Sequence, residues 1–167
     1  MPQERELPEG AADTSVPRFA ADAMLGRLAK WLRLLGYDTL YDPTLDDAAL
    51  ATVARAEERI VLTRDHALSE RRGTRSILVT SQVPREQLSQ LRRELGIGPV
   101  APLSRCSLCN HPLEAMERDR AEGLVPPYVF ATHTRFWRCA ACGRLYWLGS
   151  HCARMGAVMG VDLGLGA

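Results

Sequence analysis

Two pairs of cysteines, each with two residues between its members, constrain the fold of this chain more than any other feature. They are Cys106 with Cys109 and Cys139 with Cys142. Two such pairs are a common ligand set for structural zinc, because four thiolates complete its tetrahedral shell and leave no open position. Such an ion stabilises a segment that is too small to fold around its own apolar core. We therefore predict a small zinc ribbon in this part of the chain.

Other side chains near these pairs are also possible zinc ligands. They are Cys152, His111, His133 and His151. If His111 replaced Cys109, the first pair would be longer than the second, which favours the set of four cysteines. Between the two pairs we predict strands at residues 129–132 and 136–138.

The chain of 167 residues divides into regions of different composition. We predict a disordered tail over residues 1–15, a first domain over 16–100, and the zinc ribbon with a C-terminal tail over 101–167. Neither folded part is strongly basic, so composition alone does not indicate nucleic-acid binding. The start of the chain lacks the features of a secretory signal, and no apolar run reaches about 18 residues. We expect a soluble, cytoplasmic protein with no membrane partner.

Strands and helices alternate through the first domain. Short apolar runs typical of buried strands are followed by segments whose apolar residues recur at helical spacing. The predicted strands cover residues 17–23, 37–41, 60–63 and 76–80, and the predicted helices cover 24–35, 46–58, 67–71 and 84–95. Four β–α units in a row indicate an α/β fold with a parallel sheet flanked by helices.

Carboxylates follow three of the predicted strands. Asp22 ends the first strand, Asp65 follows the third, and Asp46 and Asp47 begin the helix after the second. The carboxyl ends of parallel strands meet at one edge, so these acids are expected to lie close together and to bind Mg²⁺ or Mn²⁺. Such a site can activate water for phosphodiester hydrolysis. Alternatively, Asp46, Asp47 and Asp65 cap their helices.

Several segments resemble the mutator-type C-terminal RNase domain family. They are residues 19–38, Asp47 with Leu50, 60–65 (IVLTRD), 105–110 (RCSLCN) and 146–151 (YWLGSH). The resemblance implies a PIN-like nuclease domain over 16–100 followed by the zinc ribbon. It also implies a metal-dependent ribonuclease, in our interpretation an endonuclease, whose catalytic acids and Mg²⁺ or Mn²⁺ ligands correspond to Asp22, Asp47 and Asp65. Asp46 is a further candidate.

Basic residues are the candidate RNA contacts. Arg27, Arg33 and Arg64 stand at positions that the family also fills with arginine, and they are expected to bind phosphate. They can instead orient the carboxylates or lie on a solvated helix face. His151 belongs to the matching segment 146–151, and its imidazole can stack on a base or donate to phosphate, unless it is a structural histidine.

Three other functions fit parts of the same pattern. A catalytically silent adaptor would bind RNA or a ribosome through the ribbon and would show no metal-dependent turnover. A phosphoacceptor domain also has aspartates at strand ends, but that chemistry needs a lysine near a late strand, whereas Lys30 is in the first helix. Redox signalling is disfavoured because a thioredoxin-type cysteine pair follows a strand in an α/β unit, whereas the cysteines of this chain stand in two matching pairs.

Overall fold

The computed structural model describes residues 16–149 and 156–157. The tail predicted at 1–15 lies outside these described residues. The strands are β1 (Phe19–Ala21), β2 (Thr39–Tyr41), β3 (Ile60–Thr63), β4 (Ser76–Leu78), β5 (Leu113–Met116), β6 (Phe136–Cys139) and β7 (Leu145–Trp147). The helices are α1 (Gly26–Leu34), α2 (Asp47–Ala56), α3 (His66–Ser69), α4 (Pro84–Leu95) and α5 (Pro127–Thr132), with 3₁₀ helices at Ala23–Leu25 and Arg118–Ala121.

The first four strands form a parallel sheet in the order β2-β1-β3-β4. Side chains alternate between its two faces. Phe19 and Leu62 point toward a core that includes residues of α1 and α4, whereas Ala20 and Val61 point toward a second core with residues of α2 and α3. The predicted α/β fold is confirmed. None of the helices among the described residues has the length and apolar character needed to cross a membrane.

Each helix of this domain runs antiparallel to the strand before it. The helices therefore begin at the carboxyl edge of the sheet, where the strands end, and run back toward the amino edge, where the strands begin. The N-termini of α1, α2 and α3 lie beyond the carboxyl ends of the strands that precede them. The C-terminus of α1 lies at the opposite, amino edge, where the chain turns into β2. Gly36 makes this turn with a φ of +102°, and a Cβ there would come within 2.6 Å of backbone atoms of Ala101. Only glycine fits that position without strain.

The second part of the chain is an antiparallel sheet in the order β5-β6-β7. The strand predicted at 136–138 is confirmed within β6, but the strand predicted at 129–132 is wrong, because these residues belong to α5. Pro127 starts that helix, which suits its fixed φ. Val129 packs into a small core with Ala121 and Phe136. Val129 thus fills one side of a helix. The strands on either side of β6 are β5 and β7, neither of which we had predicted.

A buried arginine joins the ribbon to the amino edge of the parallel sheet. Arg33 is 3 % exposed. Its Nε donates to the carbonyl oxygen of Thr39 at 2.9 Å, and one terminal nitrogen donates to the carbonyl oxygens of Ser107 at 3.1 Å and Leu108 at 2.7 Å. Ser107 and Leu108 lie between the first two cysteines. The first cysteine pair is therefore attached directly to the sheet.

Asn110 makes a second connection between the ribbon and the sheet. Its side-chain oxygen accepts from the backbone nitrogen of Thr39 at 3.0 Å, and its Nδ2 donates to Oδ1 of Asp38 at 2.7 Å. Asp38 also forms an ion pair with Arg59 at 2.7 Å. The stretch 98–102 is hydrogen-bonded to the end of α1, since Val100 and Ala101 both donate to the carbonyl oxygen of Leu35. The domain boundary at residue 100 stays a prediction.

Candidate active site and metal centre

Asp22 is held in one position at the carboxyl end of β1. It is 7 % exposed, and its backbone nitrogen donates to the carbonyl oxygen of Leu62 at 3.0 Å. Its Oδ1 accepts from the backbone nitrogen of Met24 at 2.9 Å. Its Oδ2 accepts from the Thr63 hydroxyl at 2.5 Å and from the backbone nitrogen of Arg64 at 3.1 Å. A carboxylate has about four lone-pair sites, so these bonds leave room for a cation at Oδ1.

Thr63 links Asp22 to Asp65. The hydroxyl of this fully buried residue donates to Asp22 and accepts from the backbone nitrogen of Asp65 at 2.9 Å. Asp65 is exposed, and its Oδ1 accepts from the backbone nitrogen of Leu68 at 2.9 Å as the cap of α3. Thr63 therefore connects the carboxylate of Asp22 to the backbone of Asp65. Sequence reasoning missed Thr63, although a hydroxyl residue that ends a buried strand two positions before an acid is a usable signal.

Asp46 and Asp47 lie at the start of α2 and have different surroundings. Asp46 caps the helix, because its Oδ1 accepts from the backbone nitrogen of Ala49 at 2.8 Å. Asp47 is an exposed residue of the first turn. Since α2 packs against β1 and β3, Asp47 lies at the carboxyl edge of the same two strands that position Asp22 and Asp65. Of this adjacent pair, Asp46 is the helix cap, and a role of either acid as a metal ligand stays a prediction.

The aspartates of the carboxyl edge do not form a closed metal site. In the described part of the chain, the cluster of three or more His, Cys, Asp or Glu side chains arranged to hold an ion is the cysteine cluster. A shared ion among Asp22, Asp47 and Asp65 stays a prediction. The donors nevertheless suit Mg²⁺, which binds proteins through one or two carboxylates and completes its shell with waters and substrate phosphates.

The predicted phosphate-binding arginines are in three different environments. Arg27 is exposed on α1, and the half-buried Arg64 reaches Asp22 through its backbone nitrogen. Arg33 corrects our expectation, because it is buried and donates to carbonyl oxygens at the opposite edge of the sheet. We therefore do not propose Arg33 as a phosphate-binding residue. His151, like Cys152, lies outside the described residues.

The four cysteines form a compact cluster. Their sulfur atoms lie within 4.8 Å of one another, with 3.6 Å between Cys106 and Cys142 and 3.3 Å between Cys109 and Cys139. Zinc–sulfur bonds of about 2.3 Å in a tetrahedron place the sulfur atoms about 3.8 Å apart. The cluster therefore fits zinc. Neither His111 nor His133 belongs to it, which agrees with the set of four cysteines.

Tyr146 supports one of these sulfur atoms from outside the cluster. Its hydroxyl lies 3.0 Å from Sγ of Cys106 and accepts from the backbone nitrogen of Ser107 at 3.1 Å. Burial acts to raise the pKa of Cys106, but hydrogen bonds from Tyr146 and from backbone N–H groups between the cysteines lower it to about 6. Tyr146 belongs to the matching segment 146–151, but sequence reasoning missed its role beside Cys106. Its position four residues after Cys142, in the strand that follows the second pair, is a usable signal.

The comparisons with known proteins agree with this arrangement. The model of the family described as the Mut7-C RNAse domain matches residues 17–159. These residues include both the cysteine cluster and the carboxyl edge of the sheet with its aspartates, which we call the acidic edge. No curated protein and no solved structure matches the chain. The family match extends over more than half of the chain and implies a ribonuclease type of function. The chain therefore belongs to the Mut7-C RNAse domain family.

Proposed function

We propose that this protein is an Mg²⁺- or Mn²⁺-dependent ribonuclease that hydrolyses RNA phosphodiester bonds at the carboxyl edge of its parallel sheet. The proposal rests on one observation above all: the hydroxyl of Thr63 binds the buried carboxylate of Asp22 and the backbone nitrogen of Asp65, so both acids stand at the carboxyl ends of neighbouring strands. The zinc ribbon would help to hold the RNA. Four free thiols that serve as zinc ligands also suit a reducing compartment such as the cytoplasm.

Asp22, Asp65 and Asp47 would hold the divalent ion. When bound, the ion supplies a positive charge that lowers the pKa of water and offsets the charge that develops on the phosphate. Three hydrogen bonds fix the Asp22 carboxylate, so it need not reorganise as the reaction proceeds. Asp65 presents its carboxylate to solvent, where a substrate phosphate can approach.

Arginines at the rim of this edge would balance the acids. Carboxylates repel a phosphodiester, so RNA binding needs positive charge next to them as well as the ion. Arg27 is exposed in the first turn of α1, and Arg64 lies between Thr63 and Asp65. Both can make charge-assisted hydrogen bonds to phosphates on either side of the scissile bond.

Cleavage of labelled single-stranded RNA by the full chain tests this proposal. We expect cleavage with added Mg²⁺ or Mn²⁺, and its loss in Asp22→Asn and in Asp65→Asn. Asp119→Asn is the matched control, because Asp119 is an exposed acid in the ribbon. A circular RNA that is opened by the enzyme would identify an endonuclease. Cleavage that persists in both variants at the wild-type rate would contradict the proposal.

One observation favours a second candidate, the catalytically silent RNA- or ribosome-binding adaptor. Among the described residues the cysteine cluster is arranged for a metal, whereas the carboxyl-edge aspartates do not form such a cluster. The adaptor would bind RNA with equal affinity in wild type and Asp22→Asn and would release no cleavage product with any divalent ion. The same assay therefore separates the two functions.

A further inference from the structure

The ribbon has a cavity that the nuclease proposal does not use. Its volume is about 810 Å³, and it lies around β7 and the end of α1. The lining residues that matter here are Leu34, Arg138, Arg144, Tyr146 and Trp147. The cavity is thus bounded partly by the ribbon and partly by the nuclease domain.

The chemistry of this cavity suits a nucleotide. Arg138 and Arg144 are exposed, and no acidic residue is among the described residues that line it. Arginine forks match phosphate oxygens, and the half-buried rings of Tyr146 and Trp147 line the cavity, where their exposed parts can contact a base. A site that combines the two recognises single-stranded nucleic acid, because the bases of a duplex are already stacked.

A basic stripe connects this cavity to the acidic edge. Arg27, Lys30 and Leu34 follow one another at intervals of three and four residues and so lie along one side of α1. Arg27 is next to the acidic edge and Leu34 lines the cavity. They are seven positions apart, which corresponds to about 10 Å of helix. Arg27 and Lys30 are exposed, and α1 contains no acidic residue.

We infer that the cavity is a binding site for single-stranded RNA, in which Arg138 and Arg144 contact phosphates and a base lies against the aromatic residues. The rest of the strand then follows Arg27 and Lys30 along α1 to the carboxyl edge. This inference rests on the proposed ribonuclease function, and it assigns the part of the ribbon that holds the substrate.

The test measures binding of a labelled single-stranded RNA by fluorescence anisotropy over a series of salt concentrations. All proteins are full-length, zinc-loaded and carry Asp22→Asn, and a gel verifies that the RNA stays intact. The test variant adds Arg138→Gln with Arg144→Gln. The matched control adds Arg71→Gln with Arg72→Gln, since these two exposed arginines follow α3, far from the ribbon.

We expect the test variant to bind about tenfold or more weakly, and the slope of log affinity against log salt to fall by about 1.4, or 0.7 for each lost phosphate contact. The control should keep the affinity and slope of the parent. Zinc content, measured in all proteins, shows that the ribbon is intact. Equal losses in the two variants, or no loss in either, would overturn the inference.

Contact with a base has its own readout. An RNA that contains 4-thiouridine should crosslink on irradiation to the segment with Tyr146 and Trp147, and a duplex of the same sequence should bind more weakly and crosslink less. Crosslinks confined to other segments would also overturn the inference. If Asp22→Asn alone still cleaves RNA, the nuclease proposal fails whatever the ribbon binds. If cleavage needs Asp22 but the arginine variants bind normally, only the inference fails.

Discussion

The chain has two places that suit a metal ion, and they are built in opposite ways. In the ribbon, four sulfur atoms within 4.8 Å of one another surround a single point, and two of their residues are fully buried. At the carboxyl edge of the sheet, Asp22 is buried and fixed, whereas Asp65 and Asp47 are exposed to solvent. The first place would close around one ion. The second leaves coordination positions for water and a phosphate.

This difference follows from what each ion has to do. A structural ion needs every position filled by protein, and short cysteine spacings provide this locally. A catalytic ion needs open positions, so some ligands must stay accessible. The acids of the carboxyl edge come from three separate β–α units, and three of them, Asp22, Asp46 and Asp65, already cap helices. Folding therefore completes the zinc site more fully than the acidic site.

The largest effect is expected from removing one zinc ligand. Cys139→Ser should abolish tight zinc binding and unfold the ribbon, because structural zinc contributes on the order of 10 kcal/mol in small modules. Zinc per chain by elemental analysis and near-UV circular dichroism measure the change. Cys152→Ser is the matched control and should keep one zinc per chain. A Cys139→Ser protein with a full zinc complement would show that the ligand set is wrong.

A second prediction tests whether the ribbon and the parallel sheet unfold together. Arg33→Met removes the donor that binds the carbonyl oxygens of Thr39, Ser107 and Leu108, and it should lower the free energy of unfolding by about 3 kcal/mol. Urea unfolding, followed by circular dichroism and by zinc release to a coloured chelator, measures both parts. The control, Arg27→Met on the exposed side of α1, should change stability by less than about 0.5 kcal/mol. Arg33→Met at wild-type stability would show that this buried arginine does not couple the ribbon to the sheet.

The difference between local signals and contacts of distant residues explains which features the sequence could predict. Local signals placed the four cysteines and the β–α alternation correctly, because each depends on spacing within one segment. The buried position of Arg33 depends on contacts with residues more than 70 positions away, and nothing in α1 distinguishes it from the exposed Arg27. The helix at Pro127–Thr132 depends likewise on packing in the ribbon core, which overrides its β-branched residues.

A third prediction concerns the ion pair behind the ribbon contact. Burial alone would raise the pKa of Asp38, but hydrogen bonds from Arg59 and Asn110 and the charge of Arg59 hold it below its ordinary value. The carboxylate therefore stabilises the fold above about pH 4, and this stabilisation is lost as the pH falls through the lowered pKa. Asp38→Asn should be less stable than wild type by about 2 kcal/mol at pH 7, and the difference should shrink below pH 4.

Urea unfolding between pH 3 and 7 measures that difference. Asp42→Asn is the control for a carboxylate in a surface turn with no arginine among its partners. Hydrogen bonds from Thr44 also lower the pKa of Asp42, so this variant should show a smaller difference with the same pH dependence. A difference between wild type and Asp38→Asn that stays constant down to pH 3 would contradict the lowered pKa of Asp38.

The smallest expected effects on stability come from replacing Asp46 and Asp47. These adjacent acids have different surroundings, so their variants separate a helix cap from a metal ligand. Asp46→Ala removes the bond to the backbone nitrogen of Ala49 and should cost about 1 kcal/mol, the usual value for a helix cap. Asp47→Ala removes only an acid from the first turn and should cost about 0.3 to 0.5 kcal/mol.

In cleavage assays the order of the two variants should reverse. Asp47→Ala should lose about tenfold or more in rate and need more Mg²⁺, whereas Asp46→Ala should cleave like wild type. If Asp46→Ala is instead the less active variant, the cation at this edge binds Asp46, whose Oδ2 is not used by the cap and can bind a cation while Oδ1 keeps its bond to Ala49.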